Sequence, residues 1–240
     1  MMQTERVTTG ISGLDQLLEG GFPKGRSILV TGEPGTGKTI FGLQFLFDGL
    51  TRGERGIYVA ADEGPLDILE QGASLGWDLE PYVEKKELAI LNAGSYLSSP
   101  PGAGKEKQID IHKAVADLAG FVKSLAAKRV VFDPVGPFVL LRDTAARIQD
   151  QTRLLIKLLR ISMQTTNILT SYAVPRTGER TMHGIEEYLV AGAIVLELIW
   201  KDGQLARSLI VEKMRCTDVK PAQHEFDIVK GQGLVLQPLG

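Results

Sequence analysis

Five short apolar runs punctuate the first two thirds of the chain: Ser27 to Thr31, Gly56 to Ala61, Leu88 to Leu91, Arg129 to Asp133 and Asn167 to Ser171. Continuous runs rich in Val, Ile and Leu, with no polar alternation, read as strands covered on both faces. Between them, Thr39 to Leu50, Pro65 to Leu75, Ile109 to Lys128 and Thr144 to Gln164 carry apolar residues at three and four spacing, the period of a helix with one buried stripe. Such alternation predicts an α/β fold: a central, mostly parallel sheet flanked by helices, with ligands bound beyond the carboxyl ends of the strands. After residue 190 the pattern changes. Ile194 to Trp200, Ala206 to Lys213, Glu225 to Ile228 and Gly233 to Leu236 follow one another closely, and the joining segments 201–204 and 230–233 have hairpin-turn residues, so the chain should end in a β-meander. The stretch from Asn92 to Lys105 is too rich in Gly, Pro and Ser for a packed element and reads as a long loop. Trp77 and Trp200 read as core residues, and the scattered His112, His183 and His224 as surface or capping groups rather than a metal set.

Composition narrows the class. A chain of 240 residues with 43% hydrophobic content can bury one large core, and residues 1–240 read as a single domain. A formal charge of −2 gives no strong electrostatic grip on nucleic acid. Cys216 is the single cysteine, which excludes an intrachain disulfide and thiolate-cluster metal sites and fits a reducing compartment. The first residues lack an apolar signal core, and the longest apolar stretch, Ala191 to Ile199, contains Glu197 and falls far short of a membrane span, so a soluble cytoplasmic protein is expected.

The chemistry is concentrated in residues 32–39, Gly-Glu-Pro-Gly-Thr-Gly-Lys-Thr, a complete GxxxxGK[ST] phosphate loop in strand–loop–helix context. Backbone N–H groups from Gly35 through Thr36, Gly37, Lys38, Thr39 and Ile40 can curl around a phosphate, because Gly35 and Gly37 allow dihedrals and close approach that a Cβ would block. Lys38 supplies a point charge, Thr39 a hydroxyl ligand for Mg²⁺, and the helix N-terminus its unpaired donors and positive dipole end. These features call for a nucleoside triphosphate and Mg²⁺ as ligands.

Two further carboxylate sites fit phosphoryl transfer. Asp133 ends an apolar strand, where it can orient Mg²⁺ through a water. Asp62 and Glu63 follow another strand and would face the γ-phosphate from the side, where one of them could polarise a water; an N-cap or a solvated loop pair is the plainer alternative.

With the segments 10–26 before the loop and 41–50 after it, and with 74–79, 184–190 and 213–217 further on, nearly the whole chain resembles the KaiC family of RecA-like ATPases. The resemblance is to the first of the two domains that KaiC carries in tandem, so the chain would be an isolated N-terminal half. It implies several roles. Asp62 and Glu63 match the paired catalytic acids, with Glu63 as general base. Ser74 matches a nucleotide contact. ATP would lie between subunits of a ring, a hexamer, with Lys213 and Arg215 of one subunit reaching phosphates bound by the next, while Met214 and Thr217 touch the same nucleotide. A guanidinium fork suits the charge of a phosphoryl-transfer transition state. The chain departs from the family at Val219, where a histidine is expected, and at Lys230, where an aspartate near the purine is expected. Glu186 and Glu187 stand where the second KaiC domain has its phosphorylated Ser-Thr pair, which implies hydrolysis rather than self-phosphorylation.

The reading is thus a ring-forming ATPase coupling slow hydrolysis at subunit interfaces to conformational switching and partner binding, in a circadian-clock-like or related signalling role. A KaiB-like protein would dock next to the loop from Gly94 to Lys105. The alternative is a RadA-like module organised by ATP on single-stranded DNA, with Arg176 and Arg180 as contacts; Glu179 dilutes that charge and no aromatic is interleaved for stacking, which argues against nucleic acid.

Overall fold

The computed structural model describes residues 4–93, 111–136, 145–172 and 189–237. In chain order the elements are β1 (Arg6–Val7), α1 (Leu14–Leu17), β2 (Phe22–Pro23), β3 (Ser27–Gly32), α2 (Lys38–Thr51), β4 (Gly56–Ala60), α3 (Pro65–Ser74), α4 (Glu80–Glu84), β5 (Leu88–Asn92), α5 (Ile111–Leu125), β6 (Arg129–Asp133), α6 (Ala145–Ser162) and β7 (Thr166–Tyr172). The antiparallel end follows as β8 (Gly192–Lys201), β9 (Gln204–Met214), β10 (Gln223–Val229) and β11 (Gly233–Leu236). The five expected strands and four expected helices are all present, with ends that differ by up to three residues.

One nine-stranded sheet runs β11-β10-β9-β8-β3-β7-β6-β4-β5. From β8 to β5 every neighbouring pair is parallel, and β8 through β11 are antiparallel. The meander therefore does not stand apart: β8 is shared, parallel to β3 on one side and antiparallel to β9 on the other. Strand periodicity divides the core. Ile28, Val30, Tyr58, Val131, Ile194 and Leu196 face the side covered by α2, whereas Leu29, Ile57, Val59, Val130 and Phe132 face that of α5 and α6.

Helix α2 lies on β6 with little space between them. Gly42 and Gly49, two turns apart on one helix face, sit over Val131 and Arg129; a Cβ on them would stand 2.8 Å from Val131 Cγ1 and 2.5 Å from Arg129 Nε. Arg129 is 2% exposed, with Phe45 under its guanidinium. It is saturated by Glu54 at 2.5 Å, Asp48 at 3.0 Å and the carbonyls of Thr8 and Phe45. On the same helix, buried Gln44 donates to the carbonyls of Gly10, Gln232 and Leu234 and accepts from the Leu234 amide. Both ends of the described chain are thus tied to α2.

Two expectations fail. Trp77 is core, but Trp200 is 76% exposed, because β8 outruns the strand beside it and no helix among the described residues covers the overhang. His224 is no surface group: it is 6% exposed on β10, and burial holds its imidazole below the ordinary 6.5. A depressed native value means that the unfolded chain takes up the proton first, so stability is present above 6.5 and declines as pH falls below it. Urea unfolding at descending pH should show this loss, and His224→Gln should make the curve shallower; an identical slope in the variant would contradict the assignment.

Candidate nucleotide site

The six parallel strands present their carboxyl ends along one edge, and the phosphate loop rises from β3 near its middle. Gly35 and Gly37 have φ of 81° and 104°, in the left-handed region that disfavours a Cβ. Gly32 has no room for a Cβ either, since it would meet Thr36 Oγ1 at 2.5 Å and the Leu196 carbonyl at 2.6 Å. Thr36 is buried and donates to the Glu33 carbonyl at 2.8 Å, which folds the loop on itself. Ile40, in the first turn of α2, packs partly buried on the core, so the helix start is anchored.

Lys38 is 8% exposed and donates to the carbonyls of Gly32 and Glu33, both at 2.9 Å. Its ammonium also lies 5.2 Å from the centre of the Tyr172 ring. Desolvation lowers its pKa, partly opposed by the charge of Asp133. Thr39 Oγ1 donates to Asp133 Oδ2 at 2.8 Å. Close packing at Gly42, one turn along α2, is what brings Thr39 over the end of β6. Asp133 also accepts from Tyr58 and Thr170 on the flanking strands. These two hydroxyls hold the carboxylate in one orientation, and burial, aided by the adjacent carboxylate, pushes the Tyr58 pKa well up, so Tyr58 stays a donor.

Asp62 and Glu63, after β4, part ways as adjacent side chains do. Tyr172 donates to Asp62 Oδ2 at 3.3 Å, joining Asp62 to the Lys38 cluster. Glu63 accepts instead from Gln71 of α3 at 2.6 Å and lines an open depression with Asp67, Glu70, Gln71 and Ser74. Its charge still contributes to raising the pKa of Tyr58 and Tyr172, so it stands within electrostatic reach of the edge. Ser74 donates to the Gln71 carbonyl at the end of α3, next to Leu75, whose carbonyl receives the Gly231 amide at 2.6 Å from the turn that carries Lys230. Ile228, before that turn, reaches Gly37: a Cβ there would be 3.3 Å from its Cδ1.

Lys213, Met214, Arg215 and Thr217 lie at the other end of the sheet. Met214 pairs with Gly192, which pairs with Ile28 at the start of β3, whereas the loop follows Gly32. Four residues of strand separate the two levels, about 13 Å. A bulge in β9, where Ile194 pairs with Val211 but Ala193 with Lys213, keeps Val211 and Met214 both on the core face although they are three apart. The Met214 thioether packs on Gly192, so its side chain serves the core. Thr217 Oγ1 and the Cys216 carbonyl both accept from Arg6, at 2.6 and 2.5 Å.

Tyr58, Thr170, Tyr172, Gln71 and Arg207, which donates to the Gly35 carbonyl at 3.3 Å, were not legible as site residues. Only their place in or after strands that end at the same edge could have pointed to them. The partner loop from Gly94 to Lys105, Arg176, Arg180, Glu186 and Glu187 lie outside the described residues.

A family model described as "ATPase: KaiC" matches residues 7–240. The chain belongs to the KaiC ATPase family. A UPF0273 protein from Pyrococcus horikoshii is 39% identical over 98% of this chain and 95% of its own length. The circadian clock oscillator protein KaiC of Parasynechococcus marenigrum is 32% identical over 100% of this chain, which spans 46% of that KaiC. Among solved structures, a KaiC-like protein from Pyrococcus horikoshii superimposes with a TM-score of 0.83 at 33% identity, covering 98% of this chain and 100% of that one. The RecA-like fold expected from the resemblance is therefore the fold of this KaiC-family chain. Family membership brings nucleotide binding and ATPase chemistry in general. Among the described residues, no helix is long and apolar enough to cross a membrane.

Proposed function

We propose that the chain hydrolyses ATP with Mg²⁺ at sites shared between neighbouring copies in a ring, a hexamer by the KaiC resemblance, and that turnover switches its conformation and its hold on a protein partner of KaiB type. The observation that carries this reading is the Thr39–Asp133 contact of 2.8 Å beside a glycine-framed helix start. A single hydroxyl and a single carboxylate suit Mg²⁺, which keeps several waters. When bound, the ion neutralises charge on the phosphate oxygens.

Thr39 would ligand it directly and Asp133, fixed by Tyr58 and Thr170, through water. Lys38 exchanges the carbonyls of Gly32 and Glu33 for phosphate oxygens, while the N–H groups from Gly35 to Ile40 enclose the phosphates. Glu63 turns from Gln71 to take the proton of the attacking water, and Asp62 is held by Tyr172, whose ring lies against Lys38. Ser74 contacts the nucleotide next to the Lys230 turn. Lys213 and Arg215 stand about 13 Å of strand from the loop of their own chain, so they serve the phosphates of the next copy, with Met214 contributing main-chain atoms and Thr217 its hydroxyl.

Glu63→Gln removes the base at nearly constant shape. Single-turnover phosphate release should fall by about 10²-fold or more while nucleotide affinity holds. An unchanged rate would remove Glu63 from the chemistry.

A further inference from the structure

We propose that the β8–β9 hairpin is a plug between copies of this chain, with Trp200 seated in a depression at the opposite end of the neighbour's sheet. The proposal rests on the head-to-tail ring just described. Leu196 is the last β8 residue paired with β3, yet β8 runs on to Lys201, so five residues project past the edge, about 16 Å of strand. Along the projection Leu198, Trp200 and Leu205 are all exposed, Trp200 and Leu205 face each other across the hairpin, and Leu198 faces Arg207. These side chains continue the α2 side of the sheet, the parity of Ile194 and Leu196. Arg207 reaches the Gly35 carbonyl, so the apolar strip stands beside the phosphate loop. An exposed tryptophan backed by two leucines on a projecting hairpin has the composition of an interface anchor.

The occupant follows from the other end of the fold. There Pro23, Ile156 and Ala191 form apolar walls of a depression rimmed by Arg26, Arg160 and Arg215. Apolar walls accept an indole, and a guanidinium can lie on its face. Asp202, two residues beyond Trp200 at the hairpin tip, is exposed and brings the charge that complements the three arginines. In a head-to-tail contact, whatever lies near the finger residues of one copy meets whatever lies near the phosphate loop of the next. Arg215 lines the depression, and the hairpin stands at the loop; the same docking that delivers Arg215 to the neighbouring phosphates brings Trp200 to the depression.

The test uses the tryptophan itself. Trp200 emission and acrylamide quenching, taken as the difference between the wild type and Trp200→Phe, are followed against protein concentration with a slowly hydrolysed ATP analogue and Mg²⁺, alongside sedimentation velocity. Assembly should shift the Trp200 emission to the blue and cut its quenching severalfold. Trp200→Glu and, separately, Arg160→Glu should each raise the concentration needed for assembly by about tenfold or more, leaving nucleotide binding by the monomer unchanged. Both residues are exposed, so the variants fold. Normal assembly with Trp200 still quenched overturns the plug and leaves the ring standing. Shielding of Trp200 by nucleotide in the monomer also overturns it, since the base is then the occupant. Absence of assembly at any concentration defeats the ring, and the plug with it.

Discussion

Equal amounts of a Lys38→Ala chain and an Arg215→Ala chain, each inactive alone, should regain about a quarter of wild-type turnover when mixed with Mg-ATP. Alone, Arg215→Ala should lose about 10³-fold in turnover while each subunit still binds nucleotide, because a finger acts on transition-state charge rather than on ground-state affinity. Loss of Lys38 disables the loop itself. Finger and loop sit at opposite ends of one sheet, with Met214 level with the start of β3 and Lys38 beyond its end. In the proposed ring each site would therefore take one part from each of two chains. In a randomly mixed ring, about one site in four joins the intact loop of one variant to the intact finger of the other. Phosphate release from mixtures in varied ratio measures this, and a rate equal to the sum of the two separate variants would show that Arg215 serves no neighbour.

The second large effect is on stability. Arg129→Met should lower the unfolding free energy by up to roughly 3–5 kcal/mol, since removing one partner of a buried ion pair weakens the compensation of the other charge. Asp48 is the partner that loses most: its side chain is 12% exposed and keeps only the half-exposed Arg52 and the Thr8 hydroxyl, whereas Glu54 at 35% can turn to water. A total stability of about 5–15 kcal/mol makes such a loss severe. Adding Asp48→Leu to the variant should recover most of it, because a buried pair replaced by apolar groups of similar volume is often neutral. Urea unfolding of the two single variants and the double gives the coupling directly. A double variant as weak as Arg129→Met alone would mean that the guanidinium acts through its bonds to the Thr8 and Phe45 carbonyls instead.

Much of this arrangement was legible in the sequence, for a physical reason. The parallel strands are buried on both faces, so each appears as an unbroken apolar run, and the loop 32–39 has fixed spacing because phosphate geometry fixes it. Asp133 was found the same way, at the end of such a run. What holds Asp133 was not, because Tyr58 and Thr170 reach it from strands 75 and 37 residues away, and pairing in register has no local signature. Elements as short as α1, β1 and β2 have too few residues to show a period. Arg129 read only as the first residue of a strand; its burial depends on Gly49 of α2, which a one-dimensional pattern does not connect to it. Trp200 was misjudged because hydrophobicity reports what can be buried, while the length of the neighbouring strand decides what is.

Gln44 gives α2 a mechanical role. The helix that begins at the phosphate loop carries, two turns along, an amide that grips Gly10 near the start of the described chain and Leu234 near its end. Any axial shift of α2 that preserves those bonds drags both segments with it. Events at the triphosphate would then be felt at both segments, one of them the edge strand β11, through one rigid rod, without passing through the parallel strands.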